Sequence, residues 1–363
     1  MTNNQPQEYH VIGLMSGTSL DGLDIAYCRF TFDSGAWSHE ILQADTIPYA
    51  EEWKQRLLSL ENTDALSFVQ TDAEYGFYLG QRVSDFIVRY NCSPDFVASH
   101  GHTIFHQPEK RFTVQVGSGT ALASRCRLPV VFDFRSLDVS MGGQGAPLVP
   151  IGDKLLFSDY EYCLNLGGFA NVSYEHKGRR IAYDICPVNI VMNEIAERTG
   201  NSFDKDGEMA SEGMISQYLL NELNQFGFYK SIPDSPKSLG KEWVIKNIRP
   251  MLDQYELSDQ DLLRTFCEHI AVQIGRSLEN KPKGKLLVTG GGAYNSFLMK
   301  RIAANTIHSV SLPDKKTIEF KEALIFAFLG VLRWRNEVNC LKSVTGAYAD
   351  NCGGTICNGE LLK

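Results

Sequence analysis

The chain has 363 residues, of which 43% are hydrophobic and 21% charged, a balance that supports two globular cores. Its formal net charge is −8 with Lys and Arg scattered, which argues against a nucleic-acid partner, because a phosphate backbone calls for clustered cations. The apolar run 323–332 falls well short of the ~20 residues of a membrane span, and the polar start lacks the zones of a signal peptide, so a cytoplasmic protein is expected.

In chain order, the first expected elements are strands at 9–15, 24–32 and 37–46, with Asp33-Ser34-Gly35 as the second turn. The first turn is the stretch from Gly13 to Asp24, where an apolar strand enters a run of small residues and leaves as a second strand. Glycines there allow close backbone approach to a ligand, Ser16, Thr18 and Ser19 offer hydroxyls, and Asp21 and Asp24 offer carboxylates for a metal ion or ordered water. Taken alone, the stretch reads equally as a tight hairpin whose polar groups serve their own backbone.

Helical periodicity follows over 51–60 and 64–90, ended by Asn91-Cys92-Ser93-Pro94. A short strand at 96–98 delivers Ser99-His-Gly-His-Thr103, and a strand at 112–116 delivers Gly117-Ser-Gly119 before a helix at 120–126. From residue 161 the opening order returns: a strand at 161–166, Gly167-Gly168, a strand at 171–175, the turn Lys177-Gly178 and a strand at 180–185. This repeat of architecture rather than of residues implies two similar domains. Helices are expected at 189–198, 213–225 and 259–279, with Ser258 capping the last. A strand at 285–289 then runs into Gly290-Gly291-Gly292 and a helix from 296, an arrangement that suits the flat face or the phosphates of a nucleotide. The last helix, 320–335, carries Glu322 in its first turn.

Nine cysteines, widely spaced and never Cys-x-x-Cys, suit reduced thiols. His100, His102 and His106 lack a companion carboxylate or thiol spacing for zinc. There is no GxxxxGK[ST] loop, and neither 117–119 nor 290–292 completes a dinucleotide fingerprint.

Three glycine loops on a duplicated meander match the plan of the actin and hexokinase superfamily. The expected fold is α/β, with two similar actin/hexokinase-like (ribonuclease H-like) domains and a cleft between them. Gly13-Leu-Met-Ser-Gly-Thr-Ser-Leu-Asp-Gly22, Ser99-His-Gly-His-Thr103, Val131-Phe-Asp-Phe-Arg-Ser-Leu-Asp138, Asn165-Leu-Gly-Gly-Phe-Ala-Asn171, Asp204-Lys-Asp-Gly207, Thr289-Gly-Gly-Gly-Ala-Tyr-Asn295 and Val344-Thr-Gly-Ala347 resemble the anhydro-N-acetylmuramic acid kinases over nearly the whole chain.

That resemblance implies a cytoplasmic, Mg²⁺-dependent kinase of peptidoglycan recycling that uses ATP to open the 1,6-anhydro ring and phosphorylate the freed 6-hydroxyl. A homodimer is the assembly it implies. Residues 1–134 with 345–363 are expected to form the first domain and 135–344 the second. Ser16, Gly17, Thr18, Ser19, Leu20, Asp21, Gly22, Gly167, Gly168, Asn171, Gly290, Gly291 and Gly292 are then the ATP-binding positions, with Asp21 reaching Mg²⁺ through water or the ATP phosphates. Asp184 is the base for the attacking water, and Thr103, Arg135 and Glu322 contact the sugar. The chain departs from the family's Asp-Thr-Gly-Pro-Gly-Asn pattern, reading Asp184-Ile-Cys-Pro-Val-Asn189. Cys186 and Val188 tolerate positive φ poorly, which leaves open a different loop path and kinase action on another anhydrosugar or a hexose. A non-catalytic actin-like ATP switch is the alternative from another class.

Overall fold

The computed structural model describes residues 6–17, 20–230 and 237–359. Contacts divide the chain into two units, one of Met1–Leu156 with Phe320–Lys363 and one of Phe157–Glu319.

In the first unit, β1 (Gln7–Ser16), β2 (Gly22–Asp33) and β3 (Ala36–Pro48) form an antiparallel meander, in register from Gln7↔Phe32 to Ser16↔Leu23 across β1 and β2. The β2–β3 turn uses Ser34 at φ 51° and Gly35 at φ 84°, the double positive φ whose twist suits a two-residue hairpin. β4 (Phe96–Gln107) runs parallel to β1, β5 (Phe112–Val116) pairs antiparallel with β4, and β6 (Val130–Phe132) runs parallel to β4. The central order is therefore β6-β4-β1-β2-β3. Val11, Ile12 and Leu14 are buried, as a strand covered on both faces requires.

One face is covered by the helix Ala65–Tyr90. Asp64 caps it by accepting from the Leu66 and Ser67 N–H groups, left-handed Asn91 ends it, and Tyr75, Leu79, Val83 and Phe86 form its buried stripe. The other face takes the helix Lys315–Trp334, whose backbone lies so close to β1 that a Cβ at Gly13 would meet the Ala323 carbonyl oxygen at 2.0 Å. Lys321 Nζ reaches Asp153 Oδ1 at 2.7 Å, a buried ion pair that ties the helix Val149–Leu156 to this one. Residues 135–156 and 320–344, assigned to the second domain from sequence, pack in the first unit for this reason. The last helix also begins at Lys315 rather than 320, so Glu322 stands in its interior and not in its first turn.

The second unit repeats the plan. β7 (Tyr162–Leu166), β8 (Phe169–His176) and β9 (Arg179–Pro187) form the meander, with Lys177 and Gly178 at φ 50° and 75° in its turn. β10 (Lys285–Thr289) runs parallel to β7 and β11 (Ser309–Ser311) parallel to β10, giving the order β11-β10-β7-β8-β9. Helices Asn189–Glu197 and Asp259–Leu278 pack through Ile195, Leu263, Phe266 and Ile270, and Ser258 caps the second. Glu268 joins that helix to Ser296–Asn305 through two bonds from Arg301, at 2.7 and 2.9 Å. The helix expected at 213–225 is shorter, Gln217–Leu223, because Gly213 is extended (φ −80°, ψ 168°) after a separate helix, Glu208–Glu212, and Ser216 is the N-cap that starts it.

β12 (Thr355–Cys357) adds antiparallel to β6 at the edge of the first sheet. Each sheet is thus an antiparallel meander continued by parallel strands, with β5 and β12 added antiparallel in the first, the arrangement of two similar actin/hexokinase-like domains in an α/β protein.

Candidate active site

In the first unit, the loop after β1 rests on a buried hydroxyl chain. The Tyr49 hydroxyl donates to Ser16 Oγ at 2.7 Å and lies 2.5 Å from the Tyr75 hydroxyl, while Ser16 Oγ is 2.9 Å from His102 Nδ1. Burial holds the His102 imidazole down to about 4, against the opposing Ser16 bond, so the ring is neutral at pH 7. Ser16, expected to offer its hydroxyl to a ligand, is buried in this hydroxyl chain, which ties the loop to Tyr49 and His102. Buried Leu20 closes the turn, with φ 58° and its N–H on the Gly17 carbonyl at 3.2 Å; Gly22 starts β2, and Asp21 is exposed. Thr18 and Ser19 lie outside the described residues.

β4 differs from its expected form. It does not stop at residue 98 but continues through Ser99-His-Gly-His-Thr103, with an extra residue where Leu14↔Ser99 gives way to Ser16↔His102. Gly101 makes this bulge, at φ 71° and with its Cα so near the Val116 carbonyl that a Cβ would stand 2.7 Å from the oxygen. His100 and His102 consequently meet different neighbours, His102 the Ser16 chain and His100 the guanidinium of Arg135. Arg135 donates to His100 Nε2 from Nε at 3.0 Å and Nη2 at 2.9 Å, and to the Gly145 carbonyl from Nη1 at 2.6 Å. Burial lowers Arg135 to about 10, with Glu322 opposing, which leaves it charged at pH 7. Glu322 is solvent-accessible but sits among enough protein mass that desolvation raises its carboxyl, with Arg135 opposing and Asp24 adding to the rise. Thr103 accepts from Gln115 Nε2 at 3.3 Å.

Asp138, three residues after Arg135, makes no bond to it. Fully buried, it instead accepts from the Gly145 N–H and the Thr345 hydroxyl at 2.8 Å, from Asn351 Nδ2 at 2.8 Å and from Cys340 Sγ at 3.0 Å. This knot fixes Gly145, whose carbonyl holds Arg135.

In the second unit, the chain ends of β7, β8, β9 and β10 gather the other candidates. Asn171 pairs with Asp184 across β8 and β9, beside a bulge that leaves Ile185 as the extra residue. The Asp184 backbone N–H donates to the Lys237 carbonyl at 3.0 Å, and its Oδ2 accepts from the Leu239 N–H at 2.8 Å and the Ser238 hydroxyl at 3.2 Å. Burial raises the Asp184 carboxyl above the usual carboxylate range, and those two bonds and the Lys237 charge oppose the rise without cancelling it. The replaced residues after Asp184 fit without left-handed backbone. β9 continues through Cys186 and Pro187, Val188 has φ −131°, and the Val188 and Ile190 N–H groups bond the Gly168 carbonyl.

Gly167 and Gly168 sit against the second glycine loop through residues not singled out from sequence, Asn165 and Asn189. Asn189 Nδ2 donates to the Leu166 carbonyl at 3.3 Å, and Asn165 faces Thr289 in the β7–β10 register. Gly291 has room, and Gly292 crowds Leu166. Gly290 has φ 85°, and a Cβ there would stand 2.7 Å from Asn165 Oδ1 and 2.8 Å from Leu166 backbone. Gly290→Ala is therefore expected to cost roughly 2 kcal/mol or more, from left-handed backbone plus overpacking, read as a lowered urea midpoint with unchanged slope. A midpoint equal to wild type would show that the loop relaxes freely.

Among the described residues, no helix is long and apolar enough to cross a membrane. Residues 9–359 match the family model for anhydro-N-acetylmuramic acid kinase. The anhydro-N-acetylmuramic acid kinase of Vibrio vulnificus (strain YJ016) is 33% identical over 356 residues, covering 93% of this chain and 95% of its own. That of Vibrio parahaemolyticus is 34% identical over 357 residues, with coverages of 93% and 95%, and that of Haemophilus influenzae 32% over 379 residues, with 96% and 97%. With this agreement along nearly its full length, the chain belongs to the anhydro-N-acetylmuramic acid kinase family.

Proposed function

We propose that Asp184 is the general base in the reaction of this kinase, which converts 1,6-anhydro-N-acetylmuramic acid, ATP and water to N-acetylmuramic acid 6-phosphate and ADP in peptidoglycan recycling. The observation that carries the assignment is a carboxylate raised by burial, held on one oxygen by the Leu239 N–H and the Ser238 hydroxyl, at the end of the second meander. Water attacks the anomeric carbon and gives one proton to Asp184. The bond from that carbon to the bridging 6-oxygen breaks, its electron pair goes to the γ-phosphorus, and ADP leaves. The second water proton stays on the new anomeric hydroxyl.

Gly17 to Gly22, Gly167, Gly168, Asn171 and Gly290 to Gly292 are assigned to ATP, with Ser16 as the anchor of the first loop. Mg²⁺ keeps most of its water and asks for one or two carboxylates beside phosphate oxygens, a demand that exposed Asp21 fits. When bound, the ion neutralises charge on the transferring phosphoryl group. Arg135 is assigned to the lactyl carboxylate, and Thr103 and Glu322 to sugar hydroxyls. A homodimer, a cytoplasmic location and the absence of a nucleic-acid partner belong to the same proposal, supported by the family and the net charge of −8. Neither another sugar nor a non-catalytic switch is favoured, since the curated relatives share one activity in their names.

Turnover in ¹⁸O-labelled water tests the hydrolytic route. Label is expected in the anomeric hydroxyl and not in the phosphate ester. Unlabelled product, after correction for spontaneous exchange, would exclude water as the ring-opening nucleophile.

A further inference from the structure

We propose that His100 is a positioning residue that aims the guanidinium of Arg135 at the carboxylate of the sugar, and thereby sets selectivity for acidic over neutral anhydrosugars. This rests on the assignment of Arg135 to that carboxylate. Arginine has no acceptor, so the two bonds from Arg135 Nε and Nη2 require His100 Nε2 to be bare and Nδ1 to carry the proton. Nδ1 lies 3.0 Å from the Gly101 carbonyl, the acceptor that this tautomer needs. The ring is buried, and the ring of Phe326 packs beside it at 4.5 Å between centroids. The positive φ of Gly101 builds the bulge in which this bond forms. Burial and the Arg135 charge also hold His100 well below the usual imidazole value, which keeps the tautomer neutral.

The consequence follows from counting protons. A guanidinium has five N–H groups in one plane. His100 takes Nε–H and one on Nη2, and Gly145 takes one on Nη1. One N–H then remains on each terminal nitrogen, a pair suited to two carboxylate oxygens. A neutral acceptor such as histidine fixes the plane without cancelling its charge, whereas a carboxylate in its place would compete with an anionic ligand.

The test uses the full chain and three variants. His100→Leu removes the acceptor at similar size, His100→Gln keeps an acceptor near Nε2, and Arg135→Gln removes the fork. Each is assayed with 1,6-anhydro-N-acetylmuramic acid and with 1,6-anhydro-N-acetylglucosamine, which lacks the lactyl carboxylate, the neutral sugar being read as substrate or as competitive inhibitor. His100→Leu is expected to raise KM for the acidic sugar about tenfold and to erode acidic-over-neutral selectivity by the same factor, with KM for ATP within about twofold. His100→Gln is expected to recover most of the loss. If Arg135→Gln loses selectivity while His100→Leu keeps it, positioning by His100 is wrong and the Arg135 assignment stands. If Arg135→Gln changes neither KM nor selectivity, the Arg135 assignment fails. Equal losses for both sugars and ATP, unrescued by His100→Gln, would make His100 a general structural residue and overturn the proposal. A readout without substitution is the histidine ¹H–¹⁵N spectrum of the wild-type protein, in which a neutral Nδ1–H tautomer is expected for His100 and an Nε2–H tautomer would overturn it.

Discussion

Asp184→Asn is expected to lower turnover of 1,6-anhydro-N-acetylmuramic acid by roughly 10²–10⁴-fold, the span of a positioned general base, while ATP affinity stays within about twofold. The amide matches the carboxylate in shape, and its oxygen can still accept from the Leu239 N–H and Ser238 hydroxyl that bind Oδ2. What is lost is the capacity to take a proton from water. The same group sets a pH dependence. Below its pKa, Asp184 already carries a proton, so kcat/KM falls as pH falls. Because burial raises that pKa, the acid limb lies above the value of an ordinary aspartate. Rates across pH and equilibrium binding of a non-hydrolysable ATP analogue check both statements. Turnover near wild type in the variant would remove Asp184 from the mechanism, and an acid limb at or below the ordinary aspartate value would deny it the raised pKa.

The second large effect is on stability. Asp138→Ala strips four donors of their common acceptor, the Gly145 N–H, the Thr345 hydroxyl, the Asn351 amide and the Cys340 thiol. A buried donor left unsatisfied costs about 1–3 kcal/mol, and relaxation recovers part of the sum, so a loss of roughly 3 kcal/mol or more is expected in denaturant unfolding. Asp138→Asn keeps Oδ1 but turns an N–H toward the Gly145 N–H if the amide nitrogen replaces Oδ2, for an expected loss of about 1–3 kcal/mol. Both variants free Gly145, so KM for the sugar is expected to rise with them, through the carbonyl that holds Arg135. A change below 1 kcal/mol for Asp138→Ala would show that water replaces the carboxylate and that the knot is dispensable.

Much of this protein was legible where the deciding forces act within a few residues. The two meanders follow from short apolar strands and from turn residues such as Ser34-Gly35 and Lys177-Gly178, whose positive φ closes a hairpin. The helix at Ala65–Tyr90 follows from its buried stripe and from Asp64, and the helix at Asp259–Leu278 from Ser258. The glycine loops were readable because each stands at a strand end, a place fixed by local pattern, whereas Asp184, read as near its strand's end, lies inside β9, which runs on to Pro187.

Side-chain partners were not readable in the same way. Ser16 looks like a donor to a ligand until His102, 86 residues further on, comes within 2.9 Å of its hydroxyl. His100 and His102 look like one group until a one-residue bulge separates their neighbours. Asp138 looks like a charge beside Arg135 until Cys340, Thr345 and Asn351 arrive from 202 to 213 residues away. Glu322 looks like a helix-start residue because the helix gains its earlier turns from 315 onward, where the apolar pattern is weak.

The sequence by itself thus determined the duplicated α/β plan and its glycine loops, because backbone preference and hydrophobic period are local quantities, and it offered Asp184 as the candidate base. The tertiary structure alone decided that Ser16 lies in a buried hydroxyl chain, that Asp138 is a knot and that His100 meets Arg135. A hydroxyl, carboxylate or imidazole takes its role from the donors and acceptors that chain closure brings within about 3 Å of it.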